Sequence, residues 1–196
     1  MRREELTELH YIAHMSNVAS ILGQGILSNR RASQVEHTSV AMQAVQDRRA
    51  NVVVPGGRKL HDYANLYVCA RNPMLYKRQH QHLDLCVLQV STDVLDLPGV
   101  VVTDANAASD YVRFAAAPAG LSIVDREATF AEYWTDPNPI VQWQKKSAKC
   151  AEVLVPDRID PGFIMGAYVS CQTAMNSLNG LGTGIAVSIN AHMFFR

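Results

Sequence analysis

Apolar residues fall along this chain in short runs of strand length, divided by polar stretches and by glycine- or proline-containing breaks. His10–Ala13 predicts an opening strand. Ser16 or Asn17 then caps a short helix with Val18, Ile21 and Leu22 on one face, ended by Gly23 and Gly25. Residues 29–50 are polar, with a weak helical pattern late on (Val40, Ala44, Val45, Arg48) that Pro55-Gly56-Gly57 breaks. Such a region reads as an active-site loop or lid. Asn65–Cys69 predicts a strand and Asn72-Pro73 a turn. Leu83–Val90 is almost continuously apolar, as a strand buried on both faces would be. Val100–Val102 predicts another strand, after which Thr103 or Asp104 caps a helix over 105–115. Phe130 and Trp134 are spaced to share a helix face, with Pro137 and Pro139 stopping any continuation. Ala151–Val155, Phe163–Val169 and Ile185–Phe195 read as strands, with a short helix at Gln172–Leu178. Strands and helices mix without a regular βαβ alternation, so the expected class is α+β, in one domain over residues 1–196.

Composition narrows the class. Hydrophobic residues make up 48% of the chain and charged ones 18%, enough for a core and too apolar for a disordered chain. The formal net charge is zero, so nucleic-acid binding cannot be argued from overall charge. Basic residues do cluster, first between Arg48 and Arg78 and again at Lys145, Lys146 and Lys149. The four cysteines, Cys69, Cys86, Cys150 and Cys171, lack zinc spacing and sit in apolar surroundings, as buried thiols do. With no signal-like or membrane-spanning run, a reducing cytoplasmic setting is expected.

The chemistry is first narrowed by elimination. There is no G-x-S-x-G elbow, no P-loop and no H-E-x-x-H. Gly180, Gly182 and Gly184 precede a strand, so they read as a flexible turn. His80 and His82 have no third ligand spaced to hold a metal, and no metal is expected. Lys149-Cys-Ala-Glu-Val-Leu-Val155 is more informative. On a strand, Ala151, Val153 and Val155 face one side and Cys150, Glu152 and Leu154 the other. Glu152 is thus a carboxylate within an apolar strand. Burying even a neutral polar group unpaired costs on the order of 2–7 kcal/mol, so Glu152 requires a cleft, a partner or water at a sheet edge.

Several motifs then occur together: His14-Met-Ser-Asn17 followed by Val18–Leu22 and Gly25-Ile-Leu; Gln46-Asp-Arg-Arg49; and His61-Asp-Tyr-Ala-Asn-Leu-Tyr67 running into Arg71-Asn-Pro-Met-Leu-Tyr76. Thr103-Asp-Ala-Asn-Ala107 and Lys149–Val155 complete the set. In this order they span nearly the whole chain, which resembles the DarT family, the DNA ADP-ribosyltransferase toxins of DarT–DarG toxin–antitoxin pairs. The resemblance implies an ADP-ribosyltransferase-like split mixed β-sheet with flanking helices and a central NAD cleft. It implies Glu152 as the catalytic glutamate and Arg49, beside Arg48, near the NAD phosphates and the reacting centre. His14, Asn17 and Tyr67 would join Arg49 in binding NAD, the ADP-ribose donor. The acceptor would be a thymine or guanine base in single-stranded DNA. A partner antitoxin with ADP-ribosylhydrolase activity is also implied. The chain departs from the family at Val68-Cys-Ala70 and at Cys150, positions expected to affect which base is accepted.

Trp134 and Trp143 precede Glu152, with Lys145, Lys146 and Lys149 between. Aromatic platforms beside cations stack single-stranded bases at about 1–3 kcal/mol each, so these residues, with Arg71 and Tyr76, are candidate DNA contacts. A protein or RNA acceptor, or a non-catalytic binding module, remains an alternative reading of the same residues.

Overall fold

The computed structural model describes residues 1–195. Strands β1 (Leu9–His14), β2 (Ile26–Leu27), β3 (Tyr63–Tyr67), β4 (Leu85–Val90) and β5 (Val101–Thr103) are joined by β6 (Phe114–Ala116), β7 (Glu152–Pro156), β8 (Arg158–Ile159), β9 (Ile164–Val169) and β10 (Val187–Ile189). Helices α1 (Val18–Gln24), α2 (Asn29–Ala32), α3 (Gln43–Arg49), α4 (Pro73–Lys77), α5 (Arg126–Phe130), α6 (Pro139–Ala148) and α7 (Gln172–Gly180) lie between and around them. Eight strands form the main sheet in the order β10-β9-β4-β1-β3-β7-β5-β6. Its one parallel pair is β9–β10, which makes the sheet mixed.

The sheet is split at its centre. β1 pairs with β4 along its whole length, from Leu9↔Val90 to His14↔Leu85. With β3 on its other side it shares a single register pair, His10↔Tyr67. Alternating side chains explain how the two halves stay together. Leu9 and Ala13 of β1, Cys86 and Leu88 of β4, Val153 and Val155 of β7, and Ala151 just before it share one continuous core on one face. On the opposite face the core is divided. Ile12, Leu85, Val87 and Phe194 form one cluster, while Leu60, Tyr63, Ala107 and Leu154 form another.

Four local expectations are corrected. Residues 105–115 form no helix: the carboxylate of Asp104 accepts from the Arg113 backbone N–H at 2.9 Å and pairs with its guanidinium, closing a loop that leads into β6. Phe130 and Trp134 share no helix face, because α5 ends at Phe130 and Trp134 lies beyond it. Pro139 starts a helix, standing in the first turn of α6 while the Asn138 side chain accepts from the Ile140 N–H at 2.9 Å. The apolar run 185–195 supplies only the short β10, its end instead packing Phe194 into the second cluster.

Gly23 and Gly25 also part company. Gly25 is the C-cap of α1 at φ 91°, and a Cβ there would run into the Ile159 carbonyl oxygen. Gly23 lies inside the helix with open space around it. Gly25→Ala is therefore expected to lower stability by more than about 1 kcal/mol, whereas Gly23→Ala should raise it by about 0.5–1 kcal/mol. Opposite shifts of the urea midpoint test this pair.

Candidate active site

Glu152 opens β7, which runs between β3 and β5, so an edge-strand glutamate in water is excluded. It stands opposite Tyr67 and is fully buried. Its Oε1 accepts from Arg49 Nη1 at 3.0 Å and from the Ala107 backbone N–H at 3.0 Å. Oε2 has no partner. Arg49, at the end of α3, is itself 5% exposed. Burial is the largest influence on Arg49 and works to lower its pKa, but the charge of Glu152 and the hydrogen bond to it act together with Tyr67 to make the net shift upward. The adjacent Arg48 is exposed, so of the two arginines it is Arg49 that meets Glu152. Burial, reinforced by Glu152, also raises the Tyr67 phenol, keeping it neutral.

A cleft of about 310 Å³ lies over the split, lined by Ile12 from β1, Asn65 and Tyr67 from β3, and Arg49 from α3. Cys150 reaches it too, its thiol pushed up to about 12 by burial and then by Glu152. His61 is a further lining residue, its pKa lowered by burial and next by Arg49. The polar region before α3 forms a strap along the cleft through residues 37–42. Asn17 clamps it: Nδ2 donates to the Thr38 carbonyl at 2.8 Å and Oδ1 accepts from the Thr38 N–H at 2.9 Å. Arg78 holds the far end, donating to the Val40 and Ala41 carbonyls at 3.1 Å each. His14 instead starts the turn before α1, with Nδ1 2.7 Å from the Ser16 hydroxyl. Arg78 carries no motif of its own, and only its position just after Arg71–Tyr76 hints at the cleft, whereas His61 opens the motif that ends at Tyr67.

The proposed DNA contacts divide. Lys149 is 1% exposed, its ammonium donating to the Ala131 carbonyl at 2.7 Å and to Cys69 Sγ at 3.6 Å. It cannot meet a phosphate from that position, which corrects the expectation of a three-lysine patch. Lys145 is bridged to Asp136 at 2.8 Å, whereas Lys146 is exposed. Trp134 is buried edge-on against Tyr76 and Phe195, with centroids 5.7 and 5.6 Å away. Arg71 lies over the Phe195 ring, 4.2 Å from its centroid, and donates to the His192 carbonyl. Tyr76, Tyr133, Trp134 and Lys146 line a second cleft of about 300 Å³. Trp143 lies outside it, half-exposed on α6 and edge-on to Tyr111. Among the described residues no three His, Cys, Asp or Glu side chains group to hold a metal ion.

The split mixed sheet with its flanking helices and buried glutamate is an ADP-ribosyltransferase architecture. Residues 10–195 match the family described as ssDNA thymidine ADP-ribosyltransferase, DarT. A fusion of DNA ADP-ribosyl transferase and DNA ADP-ribosyl glycohydrolase from Thermosipho africanus is 33% identical over 180 residues, covering 87% of this chain. The chain spans only 44% of that fusion protein's length. Thermus sp. 2.9 DarT in complex with ADP-ribosylated ssDNA superposes with a TM-score of 0.85 at 27% identity, covering 100% of this chain and 99% of that one. The same Thermus protein in complex with NAD+ gives a TM-score of 0.77 at 26% identity, over 97% and 98% of the two chains. The chain belongs to the DarT family.

Removing either member of the buried pair leaves the other charge without its partner. Arg49→Met should therefore destabilise the fold by about 3–5 kcal/mol, and pairing it with Glu152→Gln should recover much of that loss. Urea unfolding of the two single variants and the double variant checks this, and strictly additive losses would contradict it.

Proposed function

We propose that this chain is an NAD-dependent mono-ADP-ribosyltransferase toxin that modifies thymidine in single-stranded DNA and releases nicotinamide. One observation carries the reading: a fully buried glutamate paired with Arg49, an arginine that lines the cleft, in a DarT-family fold. Thymidine, in preference to guanine, follows the family's description. A single ADP-ribosyltransferase domain over residues 1–196 and a cytoplasmic setting are part of the proposal. Among the described residues no helix is long and apolar enough to cross a membrane. Since the Thermosipho relative carries a glycohydrolase in the same protein, an antitoxin that hydrolyses the ADP-ribose from DNA is the inferred partner.

The site suits NAD by its donors and acceptors. Oε2 of Glu152 is a buried carboxylate oxygen without a partner among the described residues, which supports a role in accepting from ribose hydroxyls. Arg49 offers a permanent cation for the diphosphate, while Asn17, Tyr67 and His14 complete the inferred contacts. Cleavage of the nicotinamide–ribose bond builds positive charge on the ribose carbon, as in glycoside hydrolysis. Glu152 stabilises that charge and accepts a proton from the attacking base nitrogen. Because Glu152 has no exposure here, the substrate meets it only after Arg49 or the strap shifts.

For DNA, the second cleft offers the exposed Tyr76 and Tyr133 as stacking surfaces beside Lys146, with the buried Trp134 lining it edge-on to Tyr76 and Arg71 nearby over Phe195. Trp143 and Lys145 extend this surface along α6. The acceptor atom of a paired base is hidden in the duplex, so a single strand or an extruded base is required.

Labelled NAD supplied with a single-stranded oligonucleotide, its annealed duplex, RNA and a protein mixture tests the reading directly. Label should appear on the single strand, at thymidine by mass spectrometry, and Glu152→Ala should lose at least ~100-fold of it. Preferential labelling of RNA or protein would move the acceptor to another class, and near-normal transfer by the variant would remove Glu152 from the mechanism.

The revised basic surface makes a separate prediction. Lys146→Ala should lower the slope of log affinity against log salt by roughly 0.7, one single-strand phosphate contact. Lys149→Met should leave that slope unchanged. Binding titrations over several salt concentrations compare the two.

A further inference from the structure

The motif Thr103-Asp-Ala-Asn-Ala107 has no part in the chemistry above, yet it encloses Glu152. Thr103 ends β5 and is fully buried. Its Oγ1 accepts from the Glu152 backbone N–H at 3.1 Å and donates to the Ala105 carbonyl at 2.7 Å. One hydroxyl therefore ties the first residue of β7 to the turn that follows β5. The same turn directs the Ala107 N–H at Glu152 Oε1, 3.0 Å away. The turn is braced on its far side, where Asn106 Oδ1 accepts from the Ala108 N–H at 2.9 Å and Asp104 holds Arg113. The glutamate is held at both ends by one segment, at its main-chain nitrogen through Thr103 and at its carboxylate through Ala107.

We infer that Thr103 is a positioning residue for Glu152, holding the turn whose Ala107 N–H orients the reacting carboxylate. The inference rests on Glu152 being the catalytic glutamate of the proposed transferase. Its two carboxylate partners differ in kind. Arg49 belongs to α3, at the end of the strap that lines the cleft. Ala107 belongs to the loop between β5 and β6 and packs with Leu154 of β7. When the cleft rearranges to admit substrate, the Ala107 N–H is the contact that stays with the sheet and keeps the carboxylate in its orientation. A hydroxyl is required because it both accepts and donates, and the branched shape of threonine suits a buried strand end. Valine would keep the shape and lose both bonds.

Thr103→Val should lower kcat for transfer to single-stranded DNA by about 10–100-fold, the scale expected when a reacting group is misplaced by about 1 Å. The KM for NAD should stay within about threefold, because the donor's other contacts are untouched. Thr103→Ser, which restores the hydroxyl, should recover kcat to within about threefold of the parent. All variants are assayed below their own melting temperatures, so lost fold is not read as lost rate. A normal kcat in Thr103→Val, or an equal loss in Thr103→Ser, would overturn the inference. A second measurement does not depend on any Thr103 variant folding or on catalysis. Hydrogen exchange at the Ala107 amide should be slow in the parent chain and at least tenfold faster in Glu152→Ala; equal rates would also overturn it. If the parent chain itself transferred nothing, the proposed function would fail, while the Ala107 exchange test would still report on the bracket.

Discussion

The ion pair between Arg49 and Glu152 is the contact on which the arrangement of this site depends. Two charges lie 3.0 Å apart with almost no exposure to water. Each loses its hydration, a penalty of several kcal/mol that their attraction offsets only when the remaining lone pairs and protons are also satisfied. Here the Ala107 N–H supplies one such bond, and Glu152 Oε2 goes without. Such pairs add little to stability over a well-packed apolar equivalent. A carboxylate kept out of water with one oxygen unpartnered is what the proposed transferase role of Glu152 would account for.

The pair also mechanically joins two parts of the protein. Glu152 belongs to the sheet, whereas Arg49 closes the segment that begins as the strap. Asn17 and Arg78 hold that strap through main-chain carbonyls at residues 38, 40 and 41. Those bonds are made to backbone atoms, so they fix the path of the strap while leaving its side chains to differ. The division of the front core into two clusters leaves room between them, directly over the single-pair contact of β1 with β3. A split sheet thus provides a cleft between two separate core clusters.

Much of the fold was legible because burial on two faces leaves a plain pattern. The alternation through Ala151–Val155 assigned each of those side chains to its correct face, and the almost continuous apolar run of β4 marked a strand covered on both sides. The errors came where one residue type serves two purposes. Thr103 and Asp104 have the side chains of helix caps, yet they were recruited by Glu152 and Arg113, partners distant in sequence or set by a loop. Pro139 was read as a helix stop, when at the first turn its missing N–H has nothing to lose. Lys149 looked like part of a basic surface, but the turn from α6 into β7 points its amine inward at a carbonyl and a sulfur.

The sequence alone determined the α+β class, the strand that carries Glu152 and the family to which its motifs belong, because these depend on local periodicity and residue order. Which of Arg48 and Arg49 meets the glutamate was decided only by tertiary structure, since successive residues of a helix point in directions about 100° apart and only the docking of α3 selects one. The same holds for the clamp of Asn17 on the strap, the burial of Lys149 and the Thr103 hydroxyl between β5 and β7. Each is a bond between segments far apart in the chain, and no local pattern records the partner.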